Sequence, residues 1–128
     1  MPLSVADRLE IMRLVASYDH ATDQHDATAR ANTFAPDGVF DPTGPALHGR
    51  DAILHAVRPA DARNWRHWVG NFVIEGDGDE ARARCYLAVW NVTEPVRIQL
   101  TGIYHDRFRR VDGAWRFAYR DFRRDGLS

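Results

Sequence analysis

The chain has 128 residues, of which 45% are hydrophobic and 27% charged, and its formal net charge is −1. This is enough for one domain with its own core, and the near-balanced charge gives no reason to expect nucleic acid or an anionic membrane as a partner. Cys85 is the single cysteine, which excludes an intrachain disulfide or a cysteine-based metal cluster; no apolar run nears the roughly 18 residues of a membrane span and no signal-peptide pattern opens the chain, so the expectation is cytoplasmic.

Ser4 followed by Asp7 has the spacing of a helix N-cap with an acidic third position. The helix it opens runs to about residue 22–24. At 100° per residue, Ile11, Leu14, Val15, Tyr18 and Thr22 form one stripe, and Val5, Met12, Ala16 and Asp23 a second beside it. The wide apolar arc predicts a largely covered helix with a phenol and a carboxylate extending the covered face. A buried carboxylate is costly unless paired, so Asp23 requires a partner later in the chain.

Asp26 is a candidate N-cap for a short second helix over 27–34, stopped by Ala35-Pro36-Asp37-Gly38. Val39 to Asp41 reads as a short strand ended by Pro42-Thr43-Gly44-Pro45. Gly49-Arg50-Asp51 opens a third helix, which Pro59 closes. From residue 66 the hydrophobic period changes to two. Strand-like runs at about 66–75, 80–92, 96–111 and 114–123 follow, with hairpin turn chemistry at Gly76-Asp77-Gly78-Asp79, Thr93-Glu94-Pro95 and Asp112-Gly113. Helices first and a meander afterwards predict an α+β domain spanning 1–128, its helices on one face of a curved sheet.

Alternation puts His67, Val69, Asn71 and Val73 on one face of the first long strand and Trp68, Phe72 and Ile74 on the other. Ala81, Ala83, Leu87 and Val89 of the next strand oppose Tyr86 and Trp90. One helical layer covers one face, so the outer face is expected to meet a second copy in a homodimer. The arginines near the C-terminus (Arg107, Arg109, Arg110, Arg116, Arg120, Arg123, Arg124) alternate with apolar residues and read as a solvated strand face.

Several strings, in order, resemble the SnoaL-like families of the nuclear transport factor 2-like superfamily. They are Tyr18-x4-Asp23-x2-Asp26, then residues 34–41 (FAPDGVFD), 49–53 (GRDAI), 66–71 (RHWVGN) and 110–117 (RVDGAWRF). The resemblance implies a cone-shaped α+β barrel, with three N-terminal helices packed on a strongly curved, mostly antiparallel sheet that encloses an apolar pocket. It does not fix the function, because the superfamily holds dehydratases, isomerases, cyclases and non-enzymatic binders.

In the resembling dehydratases and dehydrochlorinases a helix-one Asp pairs with a His on the first long strand, and Asp23 and His67 match those positions. A neutral imidazole is a good general base near pH 7, and a carboxylate fixes its tautomer and stabilises the imidazolium. Tyr18, by the same resemblance, is an oxyanion donor. The leading expectation is a cofactor-independent dehydratase-type lyase acting on a small, largely apolar, cyclic substrate, with Asp23, His67 and Tyr18 as catalytic residues.

Asp41, with Pro42 and Gly44 after it, is similar to the proton-shuttling Asp of ketosteroid isomerase. Tyr18 would then bind the oxyanion, and Asp106 could match that enzyme's protonated Asp. This isomerase is the runner-up, and a non-catalytic binding or assembly subunit is a third class. Asn71, Tyr104 and Asp106 join Asp41 as candidate substrate-binding residues. The remaining histidines lack ligand spacing, so no metal is expected; no phosphate loop or Ser/Cys nucleophile context occurs, and no cofactor is demanded.

Overall fold

The computed structural model describes residues 1–126, with every side chain among them except that of Asp61. Ser4 caps the first helix as its spacing to Asp7 predicts: its hydroxyl accepts the Asp7 N–H at 3.0 Å, and its own N–H donates to the Asp7 carboxylate at 3.0 Å. Helix α1 spans Val5–Asp23 and buries Ile11, Leu14, Val15, Tyr18, Asp19, Ala21 and Thr22. The buried arc is narrower than the two stripes suggest, because Val5 and Met12 are exposed. Asp19 lies inside it.

Helix α2, Ala27–Asn32, begins at Asp26, whose carboxylate accepts the Ala29 N–H. It stops short of Phe34. Strand β1 starts there, Phe34–Asp41, where a turn and a shorter strand were expected. The reason is tertiary: β1 pairs in parallel with the last strand, Phe34 opposite Phe117, and the Phe117 N–H donates to the Thr33 carbonyl. Pro36 falls within the register shift between Phe34 and Val39, and a Cβ at Gly38 would sit 2.9 Å from the Phe117 carbonyl oxygen. The two-residue strand β2 (Leu47–His48) and a helix α3 (Arg50–Leu54) shorter than expected follow, then a 3₁₀ turn over Ala60–Asn64.

Four long strands complete the chain: β3 (Trp65–Asp77), β4 (Glu80–Asn91), β5 (Arg97–Val111) and β6 (Ala114–Arg124). The sheet order is β2-β1-β6-β5-β4-β3, antiparallel throughout except at β1–β6. At the β5–β6 hairpin, Asp112 (φ 51°) and Gly113 (φ 82°) both take the left-handed conformation that a two-residue hairpin turn requires. Near it, Asp7 receives hydrogen bonds from Arg110 and from Trp115 Nε1, tying the start of α1 to the sheet.

Among the described residues, register shifts interrupt four strand pairings. On β3 the shift falls between Gly70 and Val73, and Asn71 stands at φ 59°; on β6 Ala118 is the extra residue between Phe117 and Tyr119. Each inserted residue reverses which face the following side chains take. On β3, Phe72 and Ile74 therefore join His67 and Val69 under the helices, and Val73 turns outward, contrary to simple alternation. On β6, Trp115 and Phe117 face the core and, past the bulge, so does Arg120.

The core has two parts. One gathers Ile11, Val15 and Tyr18 of α1 with Phe34, Phe108, Trp115 and Phe117; the other holds Cys85, Leu87, Val89 and Tyr104, with Trp65 and Phe122 packed against it. Burial pushes the Cys85 thiol up to about 12, so it is an unreactive apolar filler.

Candidate functional site

The C-terminal turn of α1 brings Asp23 over the start of β3. Its Oδ1 lies 2.6 Å from His67 Nδ1, and its Oδ2 accepts the backbone N–H of His67 at 3.0 Å. One carboxylate thus grips both the ring and the main chain of a single residue. The His67 side chain is 9% exposed and that of Asp23 13%. Burial lowers the His67 pKa below its ordinary 6.5, and the hydrogen bond to Asp23 opposes that shift without reversing it. The ring is neutral at pH 7. With Nδ1–H given to Asp23, Nε2 carries the free lone pair.

Tyr18 stands on the same helix, buried, its ring edge-on to Phe117 at 5.7 Å and to Phe34 at 6.0 Å. The Arg120 guanidinium lies between two phenol rings, 4.4 Å from the Tyr18 centroid and 3.4 Å from that of Tyr104. Arg120 is wholly buried, and among the described residues none of its three guanidinium nitrogens has a hydrogen-bond partner. Its nearest carboxylate is Asp106, with Nε 3.3 Å from Oδ1 but without hydrogen-bond geometry. Asp19 Oδ1 is likewise buried without a donor.

Burial raises the pKa of Asp106 and of Asp19 to about 7 each, against the pull of Arg120. Two carboxylates share one guanidinium there. Burial opposes the charge on Arg120, and Asp106 and its neighbours more than restore it, so the guanidinium stays ionised. Arg58 reaches in from the segment after α3 and donates to the Thr22 carbonyl at 2.6 Å. Its charge is felt by Asp23, Tyr18, Tyr104 and His67, and that of Arg120 by His67, so these groups form one buried cluster.

The residues singled out from sequence therefore divide. Asp23, His67, Tyr18, Tyr104 and Asp106 come together in the buried cluster around Arg120 and the end of α1. Asn71 does not: it is the bulge residue of β3 and is exposed. Counting by twos from His67 placed it inside, and the left-handed turn of its own backbone takes it out. Asp41 does not either. It pairs with Asp121 in register, its carboxylate accepts the Tyr119 hydroxyl, and Arg123 lies 4.0 Å away. All three are on the outer side of the sheet, because Phe40, one residue earlier, takes the inner side. A base at Asp41 could not reach a substrate held by His67.

The sequence gives Asp19, Arg58 and Arg120 no role in the site. Arg120 was counted with the solvated arginines because its spacing from Phe117 is odd, and only the extra Ala118 turns it inward. Asp19 carried a usable signal: on a helix it falls four residues before Asp23, on the same side.

The family model of the SnoaL-like domain matches residues 4–121. An uncharacterized protein of Mycobacterium tuberculosis is 29% identical over 125 residues, covering 91% of this chain and 84% of its own. Among solved structures, a protein of unknown function with a cystatin-like fold from Nostoc punctiforme superposes with a TM-score of 0.91 at 30% identity, covering 98% of this chain and 96% of that one. A candidate scytalone dehydratase from Novosphingobium aromaticivorans reaches a TM-score of 0.78 at 25% identity, covering 94% and 85%.

Proposed function

This chain belongs to the SnoaL-like domain family, and on that premise we propose that it is a cofactor-independent acid–base enzyme, a dehydratase-type lyase acting on a small cyclic carbonyl compound. The observation that carries the reading is the double grip of Asp23 on His67. A histidine held at both ring and backbone, with one nitrogen protonated by design and the other free, suits proton abstraction better than core packing.

His67 Nε2 removes the proton next to the substrate carbonyl, and Asp23 stabilises the imidazolium that forms. The developing enolate oxygen is met by the Tyr18 phenol, with the unpartnered guanidinium of Arg120 behind it. The C–O bond β to the carbonyl then breaks as the carbon–carbon double bond forms. The proton on His67 passes to the departing hydroxyl, which leaves as water and returns the base to its starting state. The likeness to a candidate scytalone dehydratase supports the reaction class.

The test is a panel of cyclic β-hydroxy ketones, read by the ultraviolet absorbance of the enone and by proton–deuterium exchange at the acidic carbon. The wild-type protein is expected to catalyse elimination, and His67→Gln to lower the rate by roughly 10²–10⁴-fold with its circular dichroism unchanged. Equal rates for the two would overturn the reading and leave a binding or assembly subunit.

A further inference from the structure

Beside that cluster, a cavity of about 150 Å³ opens between α1, α2 and the segment after α3, with Thr22, Arg30 and Arg58 among its walls. Arg30 is 7% exposed, and its Nε is buried with no acceptor. Its guanidinium stands 5.6 Å from the Tyr18 ring centroid and 5.4 Å from that of Phe40. Arg58 is half-buried and spends one N–H on the Thr22 carbonyl. Among the described residues the ion pairs of the interior are His67–Asp23 and Arg120–Asp106, and neither Arg30 nor Arg58 enters one.

Two neighbouring guanidiniums partly withdrawn from water, with no paired carboxylate among the described residues, are costly: the Arg58 cation is disfavoured by burial and then by Arg30, and Tyr18 and Asp23 offset this only in part. Asp26 also borders the cavity, but its carboxylate is engaged in capping α2 at the Ala29 N–H. The donors are thus in place, and among the described residues no carboxylate forms an ion pair with either of them.

We propose that the Arg30–Arg58 cavity is a subsite for the carboxylate of an organic-acid substrate, and this proposal rests on the elimination reading. Guanidinium groups match the two-oxygen edge of a carboxylate or a phosphate, and a cavity of about 150 Å³ suits the smaller, planar carboxylate. Arg58 holds the carbonyl of Thr22, the residue before Asp23, and Arg30 packs on Tyr18. A substrate anchored there presents its ring to the aromatic interior and its reacting carbon to His67. The substrate class narrows to cyclic hydroxy-keto acids, with the acid group at the mouth.

The probe is benzoate, titrated into the full chain at constant ionic strength by calorimetry and by amide chemical shifts, with benzamide as its neutral isostere and inorganic phosphate as the rival anion. Benzoate is expected to shift the amides around Thr22 and Arg58, benzamide to bind at least about tenfold more weakly, and Arg30→Gln or Arg58→Gln to weaken benzoate by at least about tenfold. Should Arg30→Gln fail to fold, Arg58→Gln, at a half-buried position, decides alone. Equal affinity for benzamide, tighter binding of phosphate, or benzoate binding abolished only by Arg120→Gln would overturn the proposal. The elimination reading stands or falls separately, on the His67→Gln rate, since benzoate affinity does not require the base.

Discussion

The carboxylate of Asp23 accepts two hydrogen bonds from one residue, His67: the main-chain N–H at 3.0 Å and ring Nδ1 at 2.6 Å. The first fixes where the β3 backbone meets the end of α1, and the second fixes which ring nitrogen carries the proton. Replacing Asp23 by Asn keeps the shape and removes the charge. The His67 pKa is then expected to fall further, because the attraction that opposes burial is lost. The imidazole C2–H resonance, assigned by its absence in His67→Gln, reports it in a proton NMR titration. An unchanged or higher value would contradict the electrostatics described above.

The lowered His67 pKa also sets the acid limb of the pH–rate profile. Base catalysis needs the neutral ring, so the rate is expected to be flat near pH 7 and to fall only below 6.5. Stability follows the same group: the unfolded chain takes up the proton first as pH falls through about 6.5, so acid favours unfolding. An inflection above 6.5 in kcat/KM would exclude His67 in its present surroundings as the base.

Asp19 has the opposite sign. Its folded pKa is raised to about 7 by burial, so the stability of its neutral form is complete below the unfolded carboxylate value and is lost as pH rises through about 7. Asp19→Asn mimics the neutral acid. Relative to wild type it is expected to gain stability between pH 5 and pH 7 at up to ~1.4 kcal/mol per pH unit. Urea midpoints at pH 5, 6, 7 and 8 measure this; parallel curves would mean that Asp19 is ionised throughout.

Among the described residues, Arg120 is the cation whose charge acts on both Asp106 and Asp19. Arg120→Met leaves Asp106 buried without a counter-charge and is expected to cost about 3–5 kcal/mol at pH 8. Arg120→Met with Asp106→Asn is expected to recover a large part of it, and a double-mutant cycle by urea denaturation gives the coupling. A single-variant loss below 1 kcal/mol would show that the pair carries no buried charge.

The outer face of the sheet exposes Trp68 (64%), Tyr86 (59%) and Ile98 (54%), the side the helices leave uncovered. We expect this face to pair with a second copy of the chain, as its composition suggested. Sedimentation equilibrium is expected to give a dimer, and Trp68→Glu a monomer with the same far-ultraviolet spectrum. A monomeric wild-type protein would remove the proposal.

Much of this architecture is readable without coordinates. The Ser4–Asp7 cap, the Ile11–Leu14–Val15–Tyr18 stripe and the Asp112-Gly113 turn are local codes, decided by residues a few positions apart, and each occurs in the structure where its spacing puts it. Strand β1 was half missed because its partner, β6, lies more than seventy residues away and a parallel pairing leaves no turn to announce it.

Periodicity, capping and turn chemistry thus fix the order and kind of the elements and the inward stripe of α1. Only the tertiary structure decided which side chains share the buried cluster. Single-residue bulges at Asn71 and Ala118 reverse the facing of everything after them, sending Asn71 and Val73 out and bringing Arg120 in. A strand's alternation has a period of two, so one inserted residue inverts it, and whether a residue is inserted depends on the register of the neighbouring strand rather than on the residue itself.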